Sequence, residues 1–296
     1  MSRTSTGNST PHGVKAKVKS GNSVALITGA SSGIGRELAR LFAKDGYSLI
    51  LVARNRPRLE SLSRELQSEH QVQATVIVQD LADPSAPGAI AEQLSHQSIE
   101  VDMLVNNAGT QVYGKCVEAN LEQQLDMVQV NANALVHLTY LLLPGMIRRG
   151  CGRILNVGST GSFAPGPLNA VYCATKAFVL SFSQAIGAEL AGTGVTVTAL
   201  CPGATETAFI TRYGMQDVRL FRNTMSPVPV AQIGYRALMR GRPLVVAGLR
   251  NQLQVLSFQL MAPFLGLTPP ALLMFIGKLF MGRSGASESQ AEPSRE

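Results

Sequence analysis

Thr28-Gly29-Ala30-Ser31-Ser32-Gly33-Ile34-Gly35 is the stretch that decides the fold of this 296-residue chain. A short apolar run, Ser23 to Thr28, leads into it. Ile34 to Asp45 follows, with Leu38, Leu41 and Phe42 on one face of a predicted helix. A strand that ends in a glycine turn and re-enters as a helix gathers backbone N–H groups at the helix start, where a pyrophosphate binds. A lone glycine turn is often only a turn, so its meaning depends on the rest of the chain.

The same alternation continues. Ser48 to Ala53, Ala74 to Val78, Val101 to Val105, Gly152 to Val157, Val195 to Leu200 and Leu244 to Ala247 read as buried strands. Arg58 to Glu69, Ala86 to Gln97, Leu121 to Arg149 and Tyr172 to Leu190 read as helices, the third broken near Pro144. Continuous apolar strands alternating with amphipathic helices predict an α/β fold, a doubly wound parallel sheet of Rossmann-like form. Ligands bind such sheets at the carboxyl ends of the strands. The expected organisation is a polar tail over residues 1–21, one catalytic domain over 22–249, an apolar helical extension over 250–282 and a second polar tail over 283–296.

Composition narrows the function classes. Hydrophobic residues make up 45% and charged residues 15%, enough for a sizeable core. The net charge of +7 comes from scattered basic residues without an aromatic-interleaved stripe, which argues against nucleic acid as a partner. Cys116, Cys151, Cys173 and Cys201 form no C-x-x-C pair and read as reduced thiols of a cytoplasmic protein. His12, His70, His96 and His137 lack metal-ligand spacing, and no metal site is expected.

Tyr172 and Lys176 lie four residues apart in Val171-Tyr172-Cys173-Ala174-Thr175-Lys176 and share a helix face. A cation beside a phenol favours phenolate and lowers a pKa that starts near ~10. A tyrosine tuned in this way passes a proton at neutral pH. With a phosphate-binding turn upstream, the pair points to hydride transfer from a nicotinamide with proton delivery from tyrosine. Ser159, at the end of a predicted strand, offers a neutral O–H donor to a developing alkoxide.

These residues, with others in order along the chain, resemble the short-chain dehydrogenase/reductase family from about Ser23 to Gly248. The turn has the family's TGxxxGxG form, Asn106-Asn107-Ala108-Gly109 matches its NNAG, and Pro202-Gly203 with Thr207 matches its PGxxxT. The resemblance implies a catalytic set of Asn131, Ser159, Tyr172 and Lys176, with Asn131 fixing a water that links Lys176 to solvent. It implies cofactor contacts from Thr28, Gly29, Ser31, Ser32, Gly33, Ile34, Gly35, Arg54, Asp80, Leu81, Asn107, Ala108, Gly109, Pro202, Gly203, Thr205 and Thr207, joined by Tyr172 and Lys176. Asp80 is the expected adenine contact. The end of the second strand carries Arg54 where NAD binding would want an acidic residue, so NADP(H) is the expected cofactor. The expected activity is oxidoreduction of a small-molecule carbonyl or alcohol by a homo-oligomer. A catalytically silent NADP(H)-sensing protein or a peripheral membrane adaptor on the same fold is the alternative.

Two segments bear on the substrate. The loop Thr160 to Asn169 holds one aromatic and no charge, which favours an apolar substrate. From Asn251 to Gly277 no residue is charged, and Arg250 and Lys278 bracket the run. Pro263, Pro269 and Pro270 are expected to break it into two short helices. Three roles stay open for it: a lid over the site, a hairpin in contact with a membrane surface, or a subunit interface. Ketoacyl-reductase-like and DltE-like family members carry similar apolar tails, which favours a long-chain or membrane-derived substrate.

Overall fold

The computed structural model describes residues 23–206, 218, 224–265, 269, 272 and 274–275. Seven parallel strands form one sheet in the order β3-β2-β1-β4-β5-β6-β7. They are β1 Val24–Thr28, β2 Ser48–Ala53, β3 Ala74–Val78, β4 Met103–Asn106, β5 Gly152–Val157, β6 Val195–Cys201 and β7 Leu244–Val246. The strand order reverses between β1 and β4, which opens a crevice at their carboxyl ends.

Alternate strand residues serve opposite faces. Ala25 and Ile27 of β1 pack with Leu38 and Phe42 of α1 (Gly33–Lys44), Leu59 and Leu66 of α2 (Arg56–His70), and Tyr235 and Leu238 of α7 (Pro227–Met239). Leu26 points the other way. It joins Ile90 of α3 (Ala86–His96), Leu138 and Met146 of α5 (Ala134–Arg149), and Ile186 of α6 (Ala170–Glu189). Both faces are therefore covered, as an all-parallel sheet requires.

Helix α2 starts two residues earlier than its periodicity predicts. Asn55 accepts from the Arg58 N–H, and Pro57 sits in the first turn, where its missing donor is harmless. The break expected near Pro144 lies elsewhere. Pro144 is inside α5 on an exposed face, where water can serve the carbonyl that loses its partner. The irregular turn is Gln129–Asn133, which has π geometry and joins α4 (Leu121–Val128) to α5. Such bulges are frequent at functional sites, and this one carries Asn131. The helix α8 (Leu249–Leu265) likewise runs through Pro263 rather than stopping there. The carbonyl orphaned by Pro263 is that of Gln259, an exposed residue that solvent reaches. The expected second helix falls largely outside the described residues, as do both polar tails.

Candidate active site

The glycine turn is held open by its neighbours. Gly29 has φ +66° and Gly33 φ +56°, values that side-chain-bearing residues rarely adopt. A Cβ on Gly29 would lie 2.8 Å from Asn107 Nδ2 and 2.9 Å from Ala108 Cα. Thr28, buried, accepts from the N–H groups of Asn107 and Ala108 at 3.0 Å and donates to Val105 O. Asn107 Nδ2 donates to Thr28 O at 2.9 Å. The ends of β1 and β4 are thus stitched together beneath the turn. Thr28 and Gly35 shape the cradle from behind, while Gly29, Ser31, Ser32, Gly33 and Ile34 line the cleft.

Ser32 starts α1 without a side-chain cap, and the first turn of α1 contains no acidic residue. The leading N–H groups of the helix are therefore left for an anion. Further along the same cleft lie Arg54, Asp80, Leu81, Ala108 and Gly109. Arg54 and Asp80 form an ion pair at 3.3 Å, both about half exposed. Asp80 also accepts from the Ala82 N–H at 3.0 Å. An exposed pair of this kind contributes only about 0–1 kcal/mol, so Arg54 can turn to a phosphate at little cost. The chain's residues thus fit a dinucleotide carrying an extra phosphate.

At the other end of the cleft, β5 and α6 bring Ser159, Tyr172 and Lys176 together. Ser159 caps the 3₁₀ turn Thr160–Phe163 by accepting from the Gly161 N–H at 3.0 Å, and it hydrogen-bonds Tyr172. A hydroxyl has one donor and two lone pairs, so the cap takes a lone pair and leaves the Ser159 proton for the Tyr172 oxygen, from which a bound carbonyl can take it over. Lys176 Nζ donates to Val157 O at 2.9 Å and lies 5.8 Å from the centre of the Tyr172 ring. Its backbone carbonyl accepts from Ser162 Oγ, which ties α6 to the 3₁₀ turn.

The electrostatics depart from the sequence expectation. Burial pushes the Tyr172 phenol up to about 12, against the pull of the Ser159 hydrogen bond. Burial also lowers the Lys176 ammonium to about 8. Proximity of the pair was expected to lower the phenol, but desolvation outweighs it: the ammonium serves a strand-end carbonyl and lies over the ring, not against the hydroxyl.

Asn131 is fully buried and does not line the cleft. Its Oδ1 accepts from the Thr110 N–H at 2.8 Å, and its Nδ2 donates to Thr110 O and Thr175 Oγ1. It fastens the strand end after β4 to α6, beside Lys176. A Cβ on Gly109 would meet both Asn131 Oδ1, at 3.4 Å, and Lys176 Nζ, at 3.5 Å. Pro202, Gly203 and Thr205 complete the rim: Pro202 O accepts from Thr160 N, and Thr205 Oγ1 donates to Gly203 O. Thr207 lies outside the described residues.

Motif reading missed several cleft residues. Gln79, Thr110 and Gln111 line it, and Gln111 Nε2 donates at 2.7 Å to Oδ1 of Asn169, the last residue of the expected substrate loop. These amides lie 58 positions apart, a separation that no local pattern encodes. They also put polar groups into a wall expected to be apolar. Cys173 and Cys201, buried beside the site, are pushed up to about 11 by burial and are poor nucleophiles. All four cysteines are free.

The chain belongs to the short-chain dehydrogenase family, whose model, described as short chain dehydrogenase, matches residues 23–217. It is similar to a putative ketoacyl reductase of Streptomyces coelicolor, 40% identical over 62% of this chain and 71% of that protein. A very-long-chain 3-oxoacyl-CoA reductase of Laccaria bicolor is 38% identical over 58% of this chain and 52% of that longer protein. Among solved structures, a short-chain dehydrogenase from Sphingobium yanoikuyae in complex with NADPH is 30% identical. It superposes with a TM-score of 0.73 over 84% of this chain and 97% of that one.

Proposed function

We propose that the protein is an NADP(H)-dependent carbonyl reductase acting on an apolar or long-chain ketone, a 3-oxoacyl or steroid-like compound. One observation carries the reading: Ser159, Tyr172 and Lys176 meet in the cleft that begins at the glycine turn. When bound, the nicotinamide supplies or accepts the hydride. Ser159 and Tyr172 hold the carbonyl oxygen by hydrogen bonds, and Tyr172 delivers the proton to it in reduction. A phenol held protonated by burial suits the role of acid. Lys176 orients the ribose and supports the charge that Tyr172 acquires. Asn131 acts as a positioning residue that keeps Thr110 and α6 in register, and it can still hold a water on its second lone pair.

Arg54 reads the 2′-phosphate, with Ser31 beside it and Asp80 toward the adenine. The solved relative with NADPH bound favours that cofactor. The very-long-chain 3-oxoacyl-CoA reductase and the putative ketoacyl reductase among its relatives favour a long-chain acyl substrate and a place in lipid metabolism. Thr207 belongs to the nicotinamide end by its motif alone. The exposed side chains Leu121, Leu125, Tyr140 and Ile147 on α4 and α5 suit a homo-oligomer contact. A cytoplasmic location fits the free thiols. A silent sensor would have no use for a serine, tyrosine and lysine converging on the cofactor cleft.

A panel of apolar ketones and 3-oxoacyl thioesters, scored by loss of NADPH absorbance, tests the reading. Turnover that rises with the apolar size of the ketone is expected. NADPH binding without turnover across the panel would overturn it.

A further inference from the structure

We propose that Arg58, with Arg36 facing the same groove, is a second reader of the 2′-phosphate of NADP(H), beside Arg54. The inference rests on the NADP(H) reading above and adds residues by which this chain tells that cofactor from NAD(H). The groove lies between α1 and α2, just outside the glycine turn. Arg36, Arg58, Ser61 and Glu65 line it, with Glu206 on its rim. Ser31, Ser32 and Gly33 line both this groove and the dinucleotide cleft, so the two spaces meet at the turn.

Local sequence fixes the base of Arg58. Asn55 accepts from the Arg58 N–H, and Pro57 stiffens the same first turn of α2, next to the end of β2. Positions 58, 61 and 65 recur at helical spacing, which sets Arg58, Ser61 and Glu65 on the face of α2 turned to the groove.

The acids between the helices are already engaged. Arg40 Nε donates to Glu65 Oε1 at 2.6 Å, and Arg40 Nη1 donates to Glu37 Oε1 at 2.8 Å. This bridge fastens α1 to α2 one turn further along α1 than Arg36. Arg36 keeps only a long contact with Glu37 at 3.4 Å, and Arg58 has no ion pair among the described residues. Glu206 is exposed, and neither guanidinium pairs with it. Two like charges facing one groove repel each other, and an anion between them relieves that repulsion. A phosphate suits the donors present: two planar guanidinium forks and the hydroxyls of Ser31, Ser32 and Ser61. Arg54 has to leave Asp80, 3.3 Å away, to meet a phosphate, whereas Arg58 leaves no partner. NAD(H) carries a hydroxyl at that ribose carbon and gives the groove no anion, so Arg58 strengthens NADP(H) binding alone.

The test is read by binding, without turnover. The full chain is titrated by fluorescence with NADPH and with NADH, and in competition with adenosine 2′,5′-bisphosphate and adenosine 5′-monophosphate. Arg58→Gln is compared with wild type and with Arg64→Gln, the same change of charge at an exposed site of α2 outside the groove. NADPH and the bisphosphate are expected to bind about tenfold more weakly to Arg58→Gln, with NADH and the monophosphate unchanged and the gap narrowing in high salt. Arg64→Gln should match wild type. A wild-type preference for NADPH that survives Arg58→Gln overturns this proposal alone. An equal loss for both cofactors also overturns it, since it assigns Arg58 to the pyrophosphate or to the fold. So does an equal loss in Arg64→Gln, which reduces the effect to net charge. A wild-type chain that binds NADH as tightly as NADPH overturns the NADP(H) reading together with the proposal.

Discussion

The glycine turn and the rim beyond Pro202 border the same cleft but are built by different means. The turn is local: eight consecutive residues, two with positive φ, set the backbone, and Thr28 and Asn107 brace it from below. The rim is assembled from afar. Gly203 is shaped by Asn251, Thr205 bridges to Met225, and Thr160 N–H reaches Pro202. The first kind of structure is dictated by which residue types tolerate a conformation. The second depends on packing between segments that sequence does not pair. Substitutions at the two ends should therefore act differently, through backbone geometry at one and through side-chain recognition at the other.

The largest effect is expected at the turn. Gly29→Val places a side chain where φ is positive and where Asn107 and Ala108 already lie within 3 Å. NADPH affinity should fall about hundredfold in a fluorescence titration, with a lowered Tm. Affinity within a few-fold of wild type would show that the turn is not the phosphate cradle. Next is Arg54→Asp, which removes the phosphate contact and sets a second carboxylate near Asp80. The ratio of kcat/KM for NADPH over NADH should drop roughly tenfold to hundredfold. An unchanged ratio would remove Arg54 from cofactor choice.

At the catalytic end, Lys176→Met should stabilise the free protein while abolishing turnover. The folded-state pKa of Lys176, about 8, lies below the ordinary 10.5. The unfolded chain then binds more protons between pH 8 and 10.5, so wild-type stability rises with pH across that window. Below pH 8 the buried ammonium costs up to about 3 kcal/mol, which the methionine avoids. Chemical denaturation at pH 7 and pH 10.5 should show the variant's advantage shrinking at the higher pH. A pH-independent difference would contradict the assignment to desolvation. The smallest effect is expected from Gln111→Leu, which breaks the amide pair with Asn169 in the cleft wall. KM for the ketone should change about three- to tenfold with NADPH affinity kept. An equal loss in both would make the pair structural.

Much of the fold was legible because apolar strands, helical periodicity and glycine chemistry are all local. Strand positions agree to within two residues at their starts, but α7 (Pro227–Met239), between β6 and β7, is not among the expected helices. The misplaced helix break shows the limit. Proline is a strong local signal, yet at Pro144 exposure makes its missing hydrogen bond tolerable. The actual irregularity, at Gln129–Asn133, has no glycine or proline to announce it. The same holds for the site. The described site residues line one cleft except Thr28, Gly35 and Asn131, which stand behind its wall. The sign of the Tyr172 shift, and the Gln111–Asn169 pair, depend on burial and on contacts distant in sequence.

The central claim is that Tyr172 delivers the proton in a carbonyl reduction carried out in this cleft. Single-turnover reduction of a 3-oxoacyl thioester by the NADPH-loaded protein, wild type against Tyr172→Phe, tests it most directly. The account predicts a rate lower by about 10²–10⁴ in the variant, with NADPH affinity nearly unchanged. A variant that keeps more than about a tenth of the wild-type rate, too little loss for a general acid, would contradict it.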